Sequence, residues 1–102
     1  MVGITAIRNL QTVIAKKAFV GCSGIDAVMG MTTENANEVT INQLMVRNVA
    51  KDAYILADHT KLGQISSFIS CPIEEIHYLI TDELAPAEAV EELRAKGVRV
   101  IR

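Results

Sequence analysis

Short apolar runs that end in polar residues recur along this chain, and each run has the composition of a buried β-strand. The pattern predicts four strands, at residues 18–20, 53–57, 76–80 and 98–101. The first three runs lead into the acidic residues Asp26, Asp58 and Asp82. Because open parallel sheets bind ligands at the carboxyl ends of their strands, these acids are the first candidates for a functional site.

Apolar residues at helical spacing separate the predicted strands. We expect three helices, over residues 4–16, from Asn35 onward, and over residues 86–96. Asn35 and Glu38 have the spacing of a capping box at the start of the second helix. Pro86 suits the first position of the third helix, and Gly97 suits the position just after its last turn.

The connecting segments give weaker signals. Residues 21–34 are rich in Gly, Ser, Thr and Met, and we expect them to form a loop. Asp58 is expected to cap a short turn that ends at Gly63. Residues 64–72 show no clear period, although Pro72 can begin a helical turn.

The alternation of helices and strands predicts an α/β fold with a doubly wound parallel sheet and right-handed crossovers. The predicted order begins with a helix and ends with a strand, and four strands make a small sheet. We therefore expect residues 1–102 to be part of one domain whose sheet continues in another segment. A sheet left with an unpaired edge is also expected to self-associate.

Composition narrows the function further. The net charge of −2 and the scattered Lys and Arg residues provide no basic face for direct binding of nucleic acid. No apolar run is long enough to cross a membrane, and the N-terminus lacks a secretory pattern, so a cytoplasmic location is expected. Cys22 and Cys71 lack metal-ligand spacing, so no metal site is expected. We expect two reduced, buried thiols, with a disulfide as the alternative.

The segment Gly21–Asp26 follows the first predicted strand. Its glycines allow a tight turn and a close approach to a ligand, and Asp26 could accept hydrogen bonds from ligand hydroxyls. A strand-ending turn with a satisfied Asp26 explains the same residues. The glycines do not match G-x-G-x-x-G and no helix follows directly, so no dinucleotide cofactor is expected.

Two further segments could hold an anion. Thr33 and Asn35 lie at the start of the second predicted helix, where free N–H groups and the helix dipole attract negative charge. Lys61 lies just beyond the second predicted strand, where it could hold a phosphate or carboxylate with Asp58 beside it. Capping roles and a solvated lysine are the alternatives. For His59 we favour a structural or rim role, and Asp82 is expected to prepare a turn.

Together these motifs resemble the effector-binding domain of DeoR-type transcriptional regulators. The resemblance covers about residues 17–101, and its most specific parts are Ala57–Gly63 and Leu79–Asp82. The motifs that carry it are, in order, Gly21–Asp26, Gly30–Asn35, Glu38 with Asn42, Leu56–Gly63 and Leu79–Asp82.

The resemblance implies a sensor similar in fold to ribose-5-phosphate isomerase. In such regulators the sensor is joined to a winged helix-turn-helix that binds DNA, and binding of a phosphorylated sugar changes the affinity for DNA. This chain is then expected to be the C-terminal part of the sensor, without the winged helix and without the first half of the sensor. The positions expected to line the effector pocket are Asp26, Thr33, Asn35, Glu38, Asp58 and Lys61, with Lys61 facing the anionic or reacting end of the sugar.

We therefore expect part of an oligomeric, sugar-phosphate-responsive repressor that is not an enzyme and that reaches DNA only through its winged helix. Two alternatives stay open. An aldose–ketose isomerase of the same fold needs a carboxylate base, for which Asp26, Glu38 or Asp58 could serve. A pure oligomerisation module would need no ligand contact at Lys61.

Overall fold

The computed structural model of the chain describes the backbone of residues 15–102 and the side chains of residues 17–47 and 52–102. The strands are β1 (Ala15–Gly21), β2 (Gly24–Asp26), β3 (Gly30–Thr33), β4 (Ala50–Leu56), β5 (Phe68–Cys71), β6 (Tyr78–Ile80) and β7 (Arg99–Ile101). The α-helices are α1 (Ala36–Leu44) and α2 (Ala87–Ala95), and shorter helical segments occupy Met45–Val49, His59–Lys61 and Ile73–Glu75.

Four strands form a parallel sheet in the order β1-β4-β6-β7. Its register places Gly21 beside Leu56 and Leu56 beside Ile80. The carboxyl ends of β1, β4 and β6 therefore lie next to one another at one edge of the sheet. This arrangement confirms the predicted α/β fold with a parallel sheet.

The expected loop over residues 21–34 is wrong, because this segment contains a β-hairpin. β2 and β3 pair antiparallel, and β3 also pairs with β5, which gives a second sheet of three strands. Gly30 begins β3 with a φ of 81°, a conformation that side chains other than glycine rarely adopt. A Cβ on Gly30 would lie 2.3 Å from the Cys71 carbonyl oxygen, so the close packing of β3 on the end of β5 also requires glycine.

The core lies on one face of the parallel sheet. One side chain from each strand lies on this face: Val20, Ile55, Leu79 and Val100. They form a buried cluster together with residues of α2 and the hairpin. Aromatic rings occupy the opposite face: Phe19, Tyr54 and Tyr78 stack across three strands with ring centroids 5.5 and 4.6 Å apart. Phe19 remains 57% exposed, so this second face is only partly covered by the described residues.

The predicted start of the second helix is confirmed, but its capping box is not. Asn35 caps α1 by accepting a hydrogen bond from the Asn37 N–H at 2.9 Å. Glu38 does not bond back to the Asn35 N–H. It accepts instead from the Thr33 hydroxyl at 2.8 Å, and that hydroxyl receives the Asn35 N–H at 3.3 Å. The Thr33 hydroxyl therefore bridges Asn35 and Glu38 in place of the reciprocal bond of a capping box.

The remaining helix predictions are largely confirmed. Asp58 caps the turn His59–Lys61, and Pro72 precedes the helical turn Ile73–Glu75. Pro86 is the capping residue before α2 rather than its first helical residue, and Gly97 has the expected positive φ, 93°.

The helix predicted over residues 4–16 falls mostly outside the described residues. Its last two positions already belong to β1, which begins at Ala15.

Candidate functional site

Two clefts open beside the carboxyl edge of the parallel sheet, and Lys61 lines both. The larger, here called the hydroxyl cleft, has a volume of about 720 Å³. It is lined by Ser23, Glu34, Thr60, Lys61, Gln64, Ile65, Ser66 and Ser67. The smaller, here called the sheet-edge cleft, has a volume of about 390 Å³. It is lined by Gly21, Cys22, Leu56, Ala57, Asp58, Lys61, Ile80, Thr81 and Asp82.

A short helical turn presents Lys61 between the two clefts. The turn begins at Asp58, whose carboxylate accepts hydrogen bonds from the Thr60 N–H, at 2.9 Å, and from the Thr60 hydroxyl. The Lys61 N–H donates to the Asp58 carbonyl at 3.0 Å. The bond from the Thr60 hydroxyl has the larger effect and the bond from its N–H the smaller. Both lower the pKa of the Asp58 carboxyl, so it stays ionised near neutral pH.

The β2–β3 hairpin holds the same turn from the other side. Leu62 is buried and bridges to Ile25, and the Gly63 N–H donates to the Ile25 carbonyl at 2.8 Å. Gly24 lies so close to the following segment that a Cβ there would be 2.3 Å from the Gln64 carbonyl oxygen. Lys61 is therefore carried by a segment that packs tightly against the hairpin.

A buried hydroxyl fixes the serine-rich wall of the hydroxyl cleft. Thr32 is fully buried, and its hydroxyl donates to the Gly24 carbonyl at 3.3 Å. The Thr32 hydroxyl oxygen also accepts a hydrogen bond from the Ser66 N–H at 2.9 Å. A side chain of the second sheet thus anchors the backbone of Ser66, which lines the cleft together with Ser67.

Three of the expected pocket residues form one network at the start of α1. Thr33 is buried and links Asn35 to Glu38 through its hydroxyl. These three residues do not line either cleft, but Glu34 between them lines the hydroxyl cleft, and its N–H reaches the Ser23 hydroxyl at 3.4 Å. The network therefore shapes the cleft through the backbone that carries Glu34.

Asp26 is separated from the other expected pocket residues. Its carboxylate accepts the N–H groups of Val28 and Met29, both at 2.9 Å, and so closes the β2–β3 turn. It lines neither cleft. Of the six expected residues, Asp58 and Lys61 lie on cleft walls, and Thr33, Asn35 and Glu38 cluster behind one wall.

Asp82 does more than prepare a turn. One carboxylate oxygen accepts the Leu84 N–H at 2.9 Å, which is the expected turn contact. The other accepts the His59 N–H at 3.0 Å and lies 2.9 Å from His59 Nδ1. The bond with the His59 ring, followed by that with its N–H, lowers the pKa of Asp82. Sequence patterns did not reveal this link between the ends of β4 and β6.

Both cysteines are free, as the expectation of reduced thiols requires. Cys71 is buried in the core, whereas Cys22 is partly exposed in the sheet-edge cleft. Burial raises the pKa of each thiol to about 11, so both are protonated near neutral pH. Protonated thiols are poor nucleophiles, which gives no support to cysteine chemistry in the cleft.

The side chains around Lys61 suit a polyhydroxylated ligand that carries one anionic group. Among the described residues that line the clefts, Lys61 is the sole basic side chain, and a lysine ammonium binds an anion as a point charge. Serine, threonine and glutamine side chains supply hydrogen bonds, and carboxylates accept them from hydroxyl groups. Residues 15–102 contain no group of three His, Cys, Asp or Glu side chains arranged to hold a metal ion.

The comparison with known protein families decides the identification. A sequence model described as the DeoR C terminal sensor domain matches residues 1–83. The chain belongs to the DeoR family.

Curated members of the DeoR family align with nearly the whole chain. The HTH-type transcriptional regulator GlpR of Haloferax volcanii is 35% identical over 99% of this chain. The putative aga operon transcriptional repressor of Escherichia coli O157:H7 is 32% identical over 97%, and the HTH-type transcriptional repressor GlcR of Bacillus subtilis is 31% identical over 97%. The aligned region is 39%, 36% and 38% of these three relatives, so the chain spans well under half of their length.

Neither α1 nor α2 is long enough to cross a membrane, and the same holds for every other helix in the described part of the chain.

Proposed function

We propose that this DeoR-family chain is the effector-binding part of a cytoplasmic transcriptional repressor of sugar metabolism, and that its effector is a phosphorylated sugar. The observation that carries the proposal is the position of Lys61, which is the sole basic side chain among the described residues lining the two clefts. It lies between a cleft rich in hydroxyl groups and a cleft with two carboxylates. The ammonium would bind the anionic group, and the surrounding oxygen atoms would bind sugar hydroxyls.

The six expected pocket residues divide between two roles in this proposal. Asp58 and Lys61 contact the ligand. Thr33, Asn35 and Glu38 hold the backbone of the hydroxyl cleft in place. Asp26 supports the pocket from the β2–β3 turn, since both of its known partners are backbone N–H groups of that turn.

Regulation would follow from a shift between two conformations. An effector that binds one conformation more tightly increases its population, and the DNA affinity changes with it. DNA contact would come from a winged helix elsewhere in the whole protein, since this chain has a net charge of −2 and no basic face. The names of the relatives, which are transcriptional regulators and repressors, support this assignment.

The Asp58 carboxylate does not favour the isomerase alternative. A general base is most effective when its pKa lies near the working pH, which for a carboxylate requires an upward shift. The pKa of Asp58 is lowered by its bonds from Thr60. This lowered pKa counts against Asp58 as the general base of an isomerase.

Titration of the intact protein with pentose, hexose and ketose phosphates, in the presence of its operator DNA, tests the proposal. Unphosphorylated sugars and inorganic phosphate serve as controls for the two halves of the ligand. A change in DNA affinity with at least one phosphorylated sugar, without isomerase turnover, is expected. No response to any of them would contradict the sensor assignment.

The chain is also proposed to work as a homo-oligomer. The partly exposed stack of Phe19, Tyr54 and Tyr78 supports this, because an apolar sheet face is usually covered in parallel α/β proteins. Light scattering on the intact protein should give a mass above that of one chain, whereas a monodisperse monomer would contradict the proposed homo-oligomer.

The alternative of a pure oligomerisation module makes a different prediction. In that case Lys61→Ala would leave regulation unchanged.

A further inference from the structure

The turn that carries Lys61 is held at two points on opposite sides. On the hairpin side, Gly63 donates to the Ile25 carbonyl at 2.8 Å, and buried Leu62 packs beside it. On the sheet side, the His59 N–H and ring both meet one oxygen of Asp82. Lys61 lies between these anchors, two residues from each of His59 and Gly63.

The two anchors differ in how much of the core they involve. Leu62 is buried with the hairpin, so losing that anchor would disturb the packing of both sheets. The side chains of His59 and Asp82 are 38% and 40% exposed, and neither belongs to the buried core cluster. A change at Asp82 should therefore release one side of the turn and leave the core intact.

Asp82 is well suited to fix the turn relative to the sheet. Its backbone follows β6, and its first carboxylate oxygen is held by the Leu84 N–H at 2.9 Å. The carboxylate is thus oriented by its own turn before it meets His59. Because the second oxygen meets both the backbone and the ring of one residue, it restricts the rotation as well as the position of the turn.

We propose that Asp82 is a positioning residue for Lys61, acting through His59. It holds the turn His59–Lys61 against the end of β6, so that the lysine ammonium is presented between the two clefts. This inference rests on the proposed ligand site at Lys61. It adds that Asp82, which also lines the sheet-edge cleft, contributes to the affinity for the anionic group by holding Lys61 in place through His59.

A binding experiment on the intact protein compares Asp82→Ala with Asp82→Asn, which keeps an oxygen acceptor for the His59 N–H. D-ribose 5-phosphate and inorganic phosphate are the probes, and Glu83→Gln, a change at the next, exposed acid, is the control. Asp82→Ala is expected to raise the Kd about tenfold, the effect of one charge-assisted hydrogen bond. Asp82→Asn should recover most of the affinity, and Glu83→Gln should leave it unchanged.

The same substitution in a Lys61→Ala background separates positioning from other roles. If Asp82 acts through Lys61, Asp82→Ala should then change the Kd by less than about twofold. An equal loss in both backgrounds would overturn the proposal, because it would mean that Asp82 contacts the ligand directly or supports the fold in general.

A measurement without ligand distinguishes failure of this inference from failure of the proposed function. Hydrogen exchange of the amides from His59 to Gly63 should accelerate about tenfold in Asp82→Ala while the thermal midpoint stays near that of the wild type. Unchanged exchange would overturn the positioning role whether or not a phosphate binds. Faster exchange in a protein that binds neither probe would support positioning and count against the sugar-phosphate proposal alone.

Discussion

The Thr32 hydroxyl accepts the Ser66 N–H at 2.9 Å, and this bond joins the β2–β3 hairpin to the wall of the hydroxyl cleft. The two residues are 34 positions apart in the sequence. Thr32 is fully buried and Ser66 is half-buried, so water replaces this hydrogen bond poorly if the hydroxyl is removed. We therefore expect that removal of the Thr32 hydroxyl destabilises both the wall of the hydroxyl cleft and the second sheet.

Thr32→Val should therefore destabilise the protein by about 1–3 kcal/mol, because it leaves the Ser66 N–H without its buried partner. The free energy of unfolding from urea denaturation measures this cost. Thr40→Val, at an exposed position of α1, is the matched control and should cost much less. Equal costs at the two positions would contradict the role given to the Thr32 hydroxyl.

Gly24→Ala should destabilise the protein by about 1–3 kcal/mol, the usual cost of inserting a methyl group where there is no space. The new Cβ would meet the Gln64 carbonyl oxygen at 2.3 Å and push the serine-rich wall away from the hairpin. Gly21→Ala is the control, because a Cβ there meets no atom within 4 Å. Chemical denaturation of both variants checks the prediction, which fails if Gly21→Ala is the more destabilising change.

Acid should weaken the fold through Asp58 and Asp82. Hydrogen bonds lower the pKa of both carboxyls below the value of an unfolded chain, about 3.9. Their contribution to stability is therefore complete above that value and is lost as the pH falls through the lowered folded-state pKa. Urea midpoints of Asp58→Asn and Asp82→Asn should fall less steeply with acid than those of the wild type. Slopes identical to the wild type would contradict the assigned contacts.

Thiol reagents should react slowly with the folded protein near neutral pH. Burial raises the pKa of Cys22 and Cys71 to about 11, so the reactive thiolate is scarce. Unfolding in urea should restore fast labelling of both residues, as followed by mass spectrometry. Rapid labelling of folded Cys22 would show that the sheet-edge cleft does not protect its thiol.

The parallel sheet could be predicted because each of its strands depends on a local apolar run. Residues 18–20 and 53–57 alternate little and contain few polar side chains, as strands in parallel sheets do. The hairpin gave no such signal. β2 has three residues and β3 has four, all buried in β3, so no alternation is visible, and the pairing of β3 with distant β5 stabilises both.

The site was only partly predictable for the same reason. Asp58 and Lys61 follow β4 directly, so their place at the sheet edge could be inferred from the strand. Ser66 and Ser67 lie in a segment without a period, and the bond from Ser66 to Thr32, 34 positions away, is not visible in any local pattern. The link from Asp82 to His59 spans 23 positions and depends on neighbouring strands that no local pattern specifies.

Replacement of Lys61 is the most direct test of the sensor proposal. Lys61→Ala in the intact protein should abolish the response of DNA binding to phosphorylated sugars, while DNA affinity without sugar stays unchanged. Lys96→Ala, at an exposed lysine after α2, should leave the response intact. A Lys61→Ala protein that still responds to the same sugar phosphate at the same concentration would contradict the account.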